Sequence, residues 1–134
     1  MKSIELSLLA VSILCGCADD PCLNTPYSDA SSPDGEHHVV IFDRDCNKGE
    51  PFSTQVSVLP RSKAESGTGN VLVVADRERL PCNEACGGPR VAAVWLDSHT
   101  VQVRFDSHVK VIRRRERYNG ITVRYSYLDS GWRP

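Results

Sequence analysis

No apolar run in this 134-residue chain reaches the roughly twenty residues that a helix needs to cross a hydrocarbon core. Charge of one sign is missing too. Sixteen Lys and Arg stand against 17 Asp and Glu, for a formal charge of −1, which excludes a wholesale binder of nucleic acid or of membrane surfaces. There is no internal repeat and no low-complexity segment. Nor is there a Gly-rich elbow around a nucleophile, a phosphate-cradling loop or a framed pair of carboxylates, so no reaction centre is legible and no cofactor is implied.

What is present begins at the N-terminus. Leu6, Leu8, Leu9, Ala10, Val11, Ile13 and Leu14 form an apolar run of about eleven residues behind Lys2, the length of a signal-peptide core rather than of a membrane span. Glu5 weakens the positive flank. The run ends in Leu14-Cys15-Gly16-Cys17, which resembles a bacterial lipobox, with the small Gly16 directly before Cys17. The resemblance implies that residues 1–16 are removed as a signal peptide and that Cys17 becomes the acylated first mature residue. Two or more acyl chains anchor stably where one binds only marginally. Ala18 stands where an Asp would retain a lipoprotein at the inner membrane, so the expected location is lipid-anchored at the periplasmic face of an outer membrane. The alternative is an ordinary secretory signal.

The remainder is one domain's worth of chain. Residues 17–32, with Pro21 and Pro26 among Asn, Asp, Ser and Thr, are expected to form a tether without regular structure, shortened to the few residues after Cys17 if Cys22 is bonded to the domain. Residues 33–134 are expected to form a single all-β domain, an antiparallel meander of about seven strands closing into a small sandwich or barrel. Ser32-Pro33-Asp34-Gly35 is a turn signal, and His37 to Arg44 follows as a strand covered on both sides. Phe52 to Leu59 alternates Phe, Thr, Val, Val with Ser, Gln, Ser, the pattern of a half-buried strand with a solvated face. Arg61 to Gly69 reads as a flexible loop and Val71 to Val74 as a central strand. Pro81, Gly87, Gly88 and Pro89 leave no room for a helix between Arg77 and Arg90. Two hairpins follow, one turning at Asp97-Ser98-His99 and one at Asn119-Gly120, with Val101, Val103, Phe105, Ile121, Val123, Tyr125 and Tyr127 inward.

The Ser-Pro-Asp-Gly turn, Arg44-Asp45-Cys46 after the first strand, and Phe52-Ser53-Thr54-Gln55-Val56-Ser57 together resemble a group of small bacterial exported proteins and lipoproteins that has no established activity. The likeness runs from about Ser32 to Tyr125 and implies fold and location only. Asn47-Lys48-Gly49-Glu50 stands where that group commonly has Gly-Ala-Thr-Thr, and no ligand role is carried over to it. The same turn, with Val94-Trp95-Leu96-Asp97 and Thr100-Val101-Gln102-Val103, is also similar to blade fragments of exported TolB-type β-propellers, but a propeller needs at least about four blades.

After Cys15 and Cys17 are set aside, Cys22, Cys46, Cys82 and Cys86 remain, an even number for an oxidising compartment. Three pairings exist, and Cys22 with Cys46 and Cys82 with Cys86 is the favoured one; a tetrathiolate zinc site competes, although two closely spaced pairs of the usual kind are missing. His37 and His38 are adjacent on a strand and cannot serve one metal together, and no metal site is expected. Asp43 and Asp45 flank Arg44 in a common solvent-exposed arrangement, and Trp95 reads as core. The first part of the chain is acidic, while Arg104, Lys110, Arg113, Arg114, Arg115, Arg117 and Arg124 crowd the far end. Either the two ends pair within the fold, or the basic residues form an exposed strip that meets an acidic partner or lipid headgroups. The expectation is therefore a non-catalytic binding or structural module of the cell envelope that uses this strip on an anionic or protein partner. An inhibitor or immunity protein acting through the loop from Cys82 to Pro89, and an enzyme of unrecognised type, are the other two readings.

Overall fold

A computed structural model describes residues 20–46, 52–76 and 87–128. These fold as a β-sandwich of nine strands: β1 (Leu23–Ser31), β2 (His37–Asp45), β3 (Ser53–Pro60), β4 (Leu72–Ala75), β5 (Val91–Asp97), β6 (Thr100–Phe105), β7 (Lys110–Arg114), β8 (Arg117–Tyr118) and β9 (Ile121–Tyr127). One sheet has five strands in the order β1-β2-β3-β4-β7, the other four in the order β5-β6-β9-β8. Among the described residues no helix is long and apolar enough to cross a membrane.

The turn chemistry is local and works as the sequence implies. Gly35 N–H donates to the Ser32 carbonyl at 2.9 Å, and Asp34 accepts from the Ser32 hydroxyl and from Glu36 N–H. Asn119 and Gly120 both take positive φ, 47° and 81°, the pair of left-handed residues that a two-residue hairpin turn with the native strand twist requires. Alternation then builds the core. Val39, Ile41, Val56, Val58, Leu72 and Val74 of the larger sheet meet Val101, Val103, Phe105, Ile121 and Val123 of the smaller one. Trp95 packs half-buried against this core and donates from Nε1 to the Ala30 carbonyl at 2.8 Å.

Four expectations are corrected. The stretch expected to be a tether is largely the edge strand β1, paired with β2 from Leu23 opposite Asp45 to Ser31 opposite His38. Its Pro26 lies at the β-bulge where the register shifts, a place where a sheet tolerates proline. A disulfide between Cys22 and Cys46, with Cα atoms 4.0 Å apart, staples this strand to the end of β2. Second, the chain is not a simple meander. After β6 it crosses to the larger sheet as β7 and returns through β8, so β9 runs parallel to β6.

Third, the Ser and Gln face of β3 is buried. Ser53, Gln55 and Ser57 are buried, and Gln55 and Ser57 are bonded by residues 61–70, which pack as a strap over the outer face of the larger sheet instead of hanging free. Gln55 Oε1 accepts from Gly69 N–H at 2.7 Å, and Asn70 acts as a mock strand: its Oδ1 accepts from Val58 N–H and its Nδ2 donates to the Val58 carbonyl, both at 2.8 Å. Val40, Phe42 and Leu59 form a second apolar cluster on this outer face. Fourth, Arg44 is buried. Its Nη2 donates to both carboxylate oxygens of Asp20, at 3.0 and 2.9 Å, and its Nη1 to Asn24 Oδ1 at 2.6 Å and to the Gly67 carbonyl at 3.0 Å. Asn24 in turn donates to Glu65 and Gly67, so one guanidinium ties the chain's entry, β1, β2 and the strap together.

Candidate functional site

Among the described residues the outer face of the smaller sheet is open, with Arg104, Arg117 and Arg124 exposed on it. Because Val101, Val103, Ile121 and Val123 point into the core, Gln102, Arg104, Thr122 and Arg124 must point out. Register then sets them in rows. Arg104 lies beside Ser126, Gln102 beside Arg124, and Thr122 beside Arg117. Arg104, Arg124 and Arg117 therefore step diagonally across β6, β9 and β8, with a Gln102 to Ser126 hydrogen bond of 3.1 Å between the first two. All three arginines are exposed, and none has an ion pair among the described residues. Three planar guanidinium groups on a rigid sheet, with Thr and Gln between them, present forked donors suited to carboxylate or phosphate oxygens.

The other basic residues do not join that diagonal. Lys110, Arg113 and Arg114 belong to β7 in the opposite sheet. Arg113 donates to the Gly69 carbonyl at 2.9 Å and so holds the strap. Arg114 lies with its guanidinium carbon 4.5 Å from the centre of the Tyr125 ring and its Nη2 3.8 Å from Glu116 Oε1, closing the side of the sandwich. Arg115 extends over Tyr118, and its N–H donates to the Val71 carbonyl at 2.8 Å. The single strip expected from sequence is thus split: Arg104, Arg117 and Arg124 remain a surface, Lys110 is exposed apart from them, and Arg113, Arg114 and Arg115 are engaged in packing. Nothing in the linear order marks this division, because it depends on β7 changing sheets. The Arg44, His38, His108 and Arg114 ion pairs are each made within their own part of the chain and do not join the acidic to the basic part.

A second constellation lies at the end of the sandwich where the chain enters. Asp43 Oδ1 sits 3.3 Å from both Thr54 Oγ1 and Gly88 N, and Thr54 Oγ1 is 2.5 Å from the Pro89 carbonyl. A side chain at Gly88 would collide with Thr54 and with the backbone of Ser53, so only glycine fits against β3 there. Burial pushes the Asp43 carboxyl above its usual range, against the Gly88 and Thr54 hydrogen bonds. Tyr27, pushed up to about 12 by burial and then by the Asp43 charge, hydrogen-bonds the Val91 carbonyl at 3.3 Å. Thr54 Oγ1 lies nearer the Pro89 carbonyl than Asp43, and this contact fastens the start of β5 to the larger sheet. Sequence reasoning missed this role for Thr54 and Gly88; the glycine was its one local signal.

The histidines are separate. His38 bridges Asp29 and the Lys63 carbonyl, both at 2.8 Å, while exposed His108 pairs with Asp106 at 2.9 Å. No group of three metal-ligating side chains occurs among the described residues. Cys17, Cys82, Cys86, the loop Asn47-Lys48-Gly49-Glu50 and most of the loop from Cys82 to Pro89 lie outside those residues. No family model matches the chain, and neither a curated protein nor a solved structure matches it.

Proposed function

We propose that this is a lipid-anchored protein of the cell envelope, held through an acylated Cys17 at the periplasmic face of an outer membrane, that binds an anionic envelope partner and catalyses nothing. The observation that carries the reading is the diagonal of Arg104, Arg124 and Arg117 on an uncovered sheet face, exposed and without ion pairs among the described residues. Half-buried Asp43 and buried Thr54, an acid beside a hydroxyl, are engaged by Gly88 N–H and the Pro89 carbonyl, which supports binding rather than chemistry. The Leu-Cys-Gly-Cys sequence supports the anchor. The disulfide from Cys22 to Cys46 supports an oxidising compartment and leaves only four residues, Ala18 to Pro21, between Cys17 and the staple, a reach of about 17 Å.

Two measurements test this. Fatty-acid labelling should mark the wild-type chain and fail with Cys17→Ser; labelling that persists in the variant defeats the anchor. Photo-crosslinking in intact cells should recover an envelope partner with the wild type and lose it when Arg104, Arg117 and Arg124 are together replaced by Ser, while replacement of Lys110 leaves it unchanged. Undiminished crosslinking in the triple variant would dismiss the diagonal. Inhibition of a peptidoglycan hydrolase by that same triple variant would transfer the role to the loop from Cys82 to Pro89.

A further inference from the structure

A sandwich of two open sheets has four edge strands, and an unprotected edge invites pairing with another chain. Three of the four are blunted. β1 carries Pro26 at a bulge. β7 has five residues, carries a bulge at Ile112 and bears Lys110, Arg113 and Arg114, while β8 has two residues. β5 differs from all three. It runs Val-Ala-Ala-Val-Trp-Leu-Asp with no proline, glycine or cation, and its register slips only after Trp95. Its outward side chains are apolar, with Val94 62% and Leu96 48% exposed.

The direction of its free backbone groups follows from its neighbours. The Phe105 carbonyl accepts from Leu128 N–H and the His99 carbonyl from Thr122 N–H, so the odd-numbered residues of β6 turn their peptide groups toward β9. Val91, Ala93 and Trp95 lie opposite Phe105, Val103 and Val101, and are therefore in the non-hydrogen-bonded positions of the β5–β6 ladder. Their N–H and C=O groups face away from β6, as the Tyr27 hydroxyl on the Val91 carbonyl independently indicates. Among the described residues no strand pairs with this edge of β5, so Ala93 and Trp95 present two donors and two acceptors along it.

We propose that a second copy of this chain occupies that edge, with β5 antiparallel to β5 of its partner about a two-fold axis at Val94. In this register Ala93 of one copy faces Trp95 of the other, and all four outward groups of each copy pair. Val94 meets Val94 at a close non-hydrogen-bonded position, and Leu96 covers Ala92. Charge selects the orientation. Arg90 precedes β5 and Asp97 closes it, so antiparallel self-pairing brings opposite signs together at both ends, whereas parallel pairing would bring like signs together. The result joins two four-stranded sheets into one of eight, with the arginine diagonals of both copies on the same face.

The test is the oligomeric state of the full chain carrying Cys17→Ser, so that no acyl group drives association. Sedimentation equilibrium across the micromolar to millimolar range should give twice the chain mass. Val94→Lys should return the monomer mass with unchanged circular dichroism. Ala93→Pro should do the same, because it removes an N–H that β6 does not use. If either variant fails to fold, Val94→Cys decides. Its close pairing should give a disulfide-linked dimer on a non-reducing gel, while Gln102→Cys on the same face should not. A wild-type monomer at every concentration overturns the proposal, as does a dimer that survives Val94→Lys with no Val94→Cys crosslink.

Discussion

The two sheets have the same alternation and opposite fates. On the larger sheet the polar positions of β3 are Ser53, Gln55 and Ser57, and all three are buried, the last two bonded to the strap. On the smaller sheet the polar positions of β6 and β9 include Gln102, Arg104, Thr122 and Arg124, and that face is open. Small uncharged groups can satisfy backbone donors and acceptors of a covering segment in a dry interface, as Gln55 does for Gly69 N–H and Ser57 for Asn70 N–H. Arginines on two neighbouring strands could be covered only with partners for every guanidinium. Polarity alternation therefore identifies a strand, whereas the kind of polar residue indicates whether its second face is destined for protein or for water.

The sharpest way to break this comparison is to truncate one side chain on each outer face. Phe42, fully buried on the outer face of the larger sheet with Val40 and Leu59, should cost about 3–5 kcal/mol when replaced by Ala. Arg124→Ala on the open face should stay within about 0.5 kcal/mol, both read from urea unfolding with unchanged m-values. Equal losses would mean that the two outer faces do not differ in burial. Next in size is the staple. Replacing Cys22 and Cys46 together by Ser frees a loop with a sequence separation of 24, which corresponds to about 3.5 kcal/mol by chain entropy. The same unfolding experiment measures it, and the loss should be largest in hydrogen-exchange protection along β1.

A smaller effect separates the two glutamines. Gln55→Ala leaves the buried Gly69 N–H without its acceptor and should cost about 1–3 kcal/mol. Gln102→Ala gives up a hydrogen bond to Ser126 that water can replace, and should fall within about 0.5 kcal/mol.

The smaller sheet was the more legible in sequence for the same reason that it is open. Its hairpins are local: Asp97-Ser98-His99 and Asn119-Gly120 fix register within a few residues, and Val101, Val103, Phe105, Ile121 and Val123 announce the buried face. The larger sheet depends on contacts that no short window contains. β1 was hidden by Pro26 and by polar residues suited to an edge. The strap has no periodicity, because its order comes from Asn70, Gly69 and Gly67 meeting groups on β1, β2 and β3. The candidate site divided along the same line. Arg104 and Arg124 could be placed outward from alternation alone, whereas the packing roles of Arg113, Arg114 and Arg115 follow from β7 crossing between sheets.

The last difference between the faces is their response to pH. His38 fastens the strap through Nε2 to the Lys63 carbonyl and through Nδ1 to Asp29. Burial lowers its pKa, but the Asp29 and Lys63 hydrogen bonds and the Asp29 charge together outweigh burial, so it titrates above its ordinary value of 6.5. A histidine raised on folding binds its proton more tightly in the native state, so its stabilisation is complete below pH 6.5 and is lost as pH rises through the higher native value. Stability measured from just below that point into mildly alkaline solution should therefore fall, with hydrogen exchange quickening around residues 61–70 first. His38→Gln should flatten the profile, whereas His108→Gln, at an exposed turn, should leave it in place. A slope that survives His38→Gln would assign the titration elsewhere and remove the proton from the description of how the strap is held.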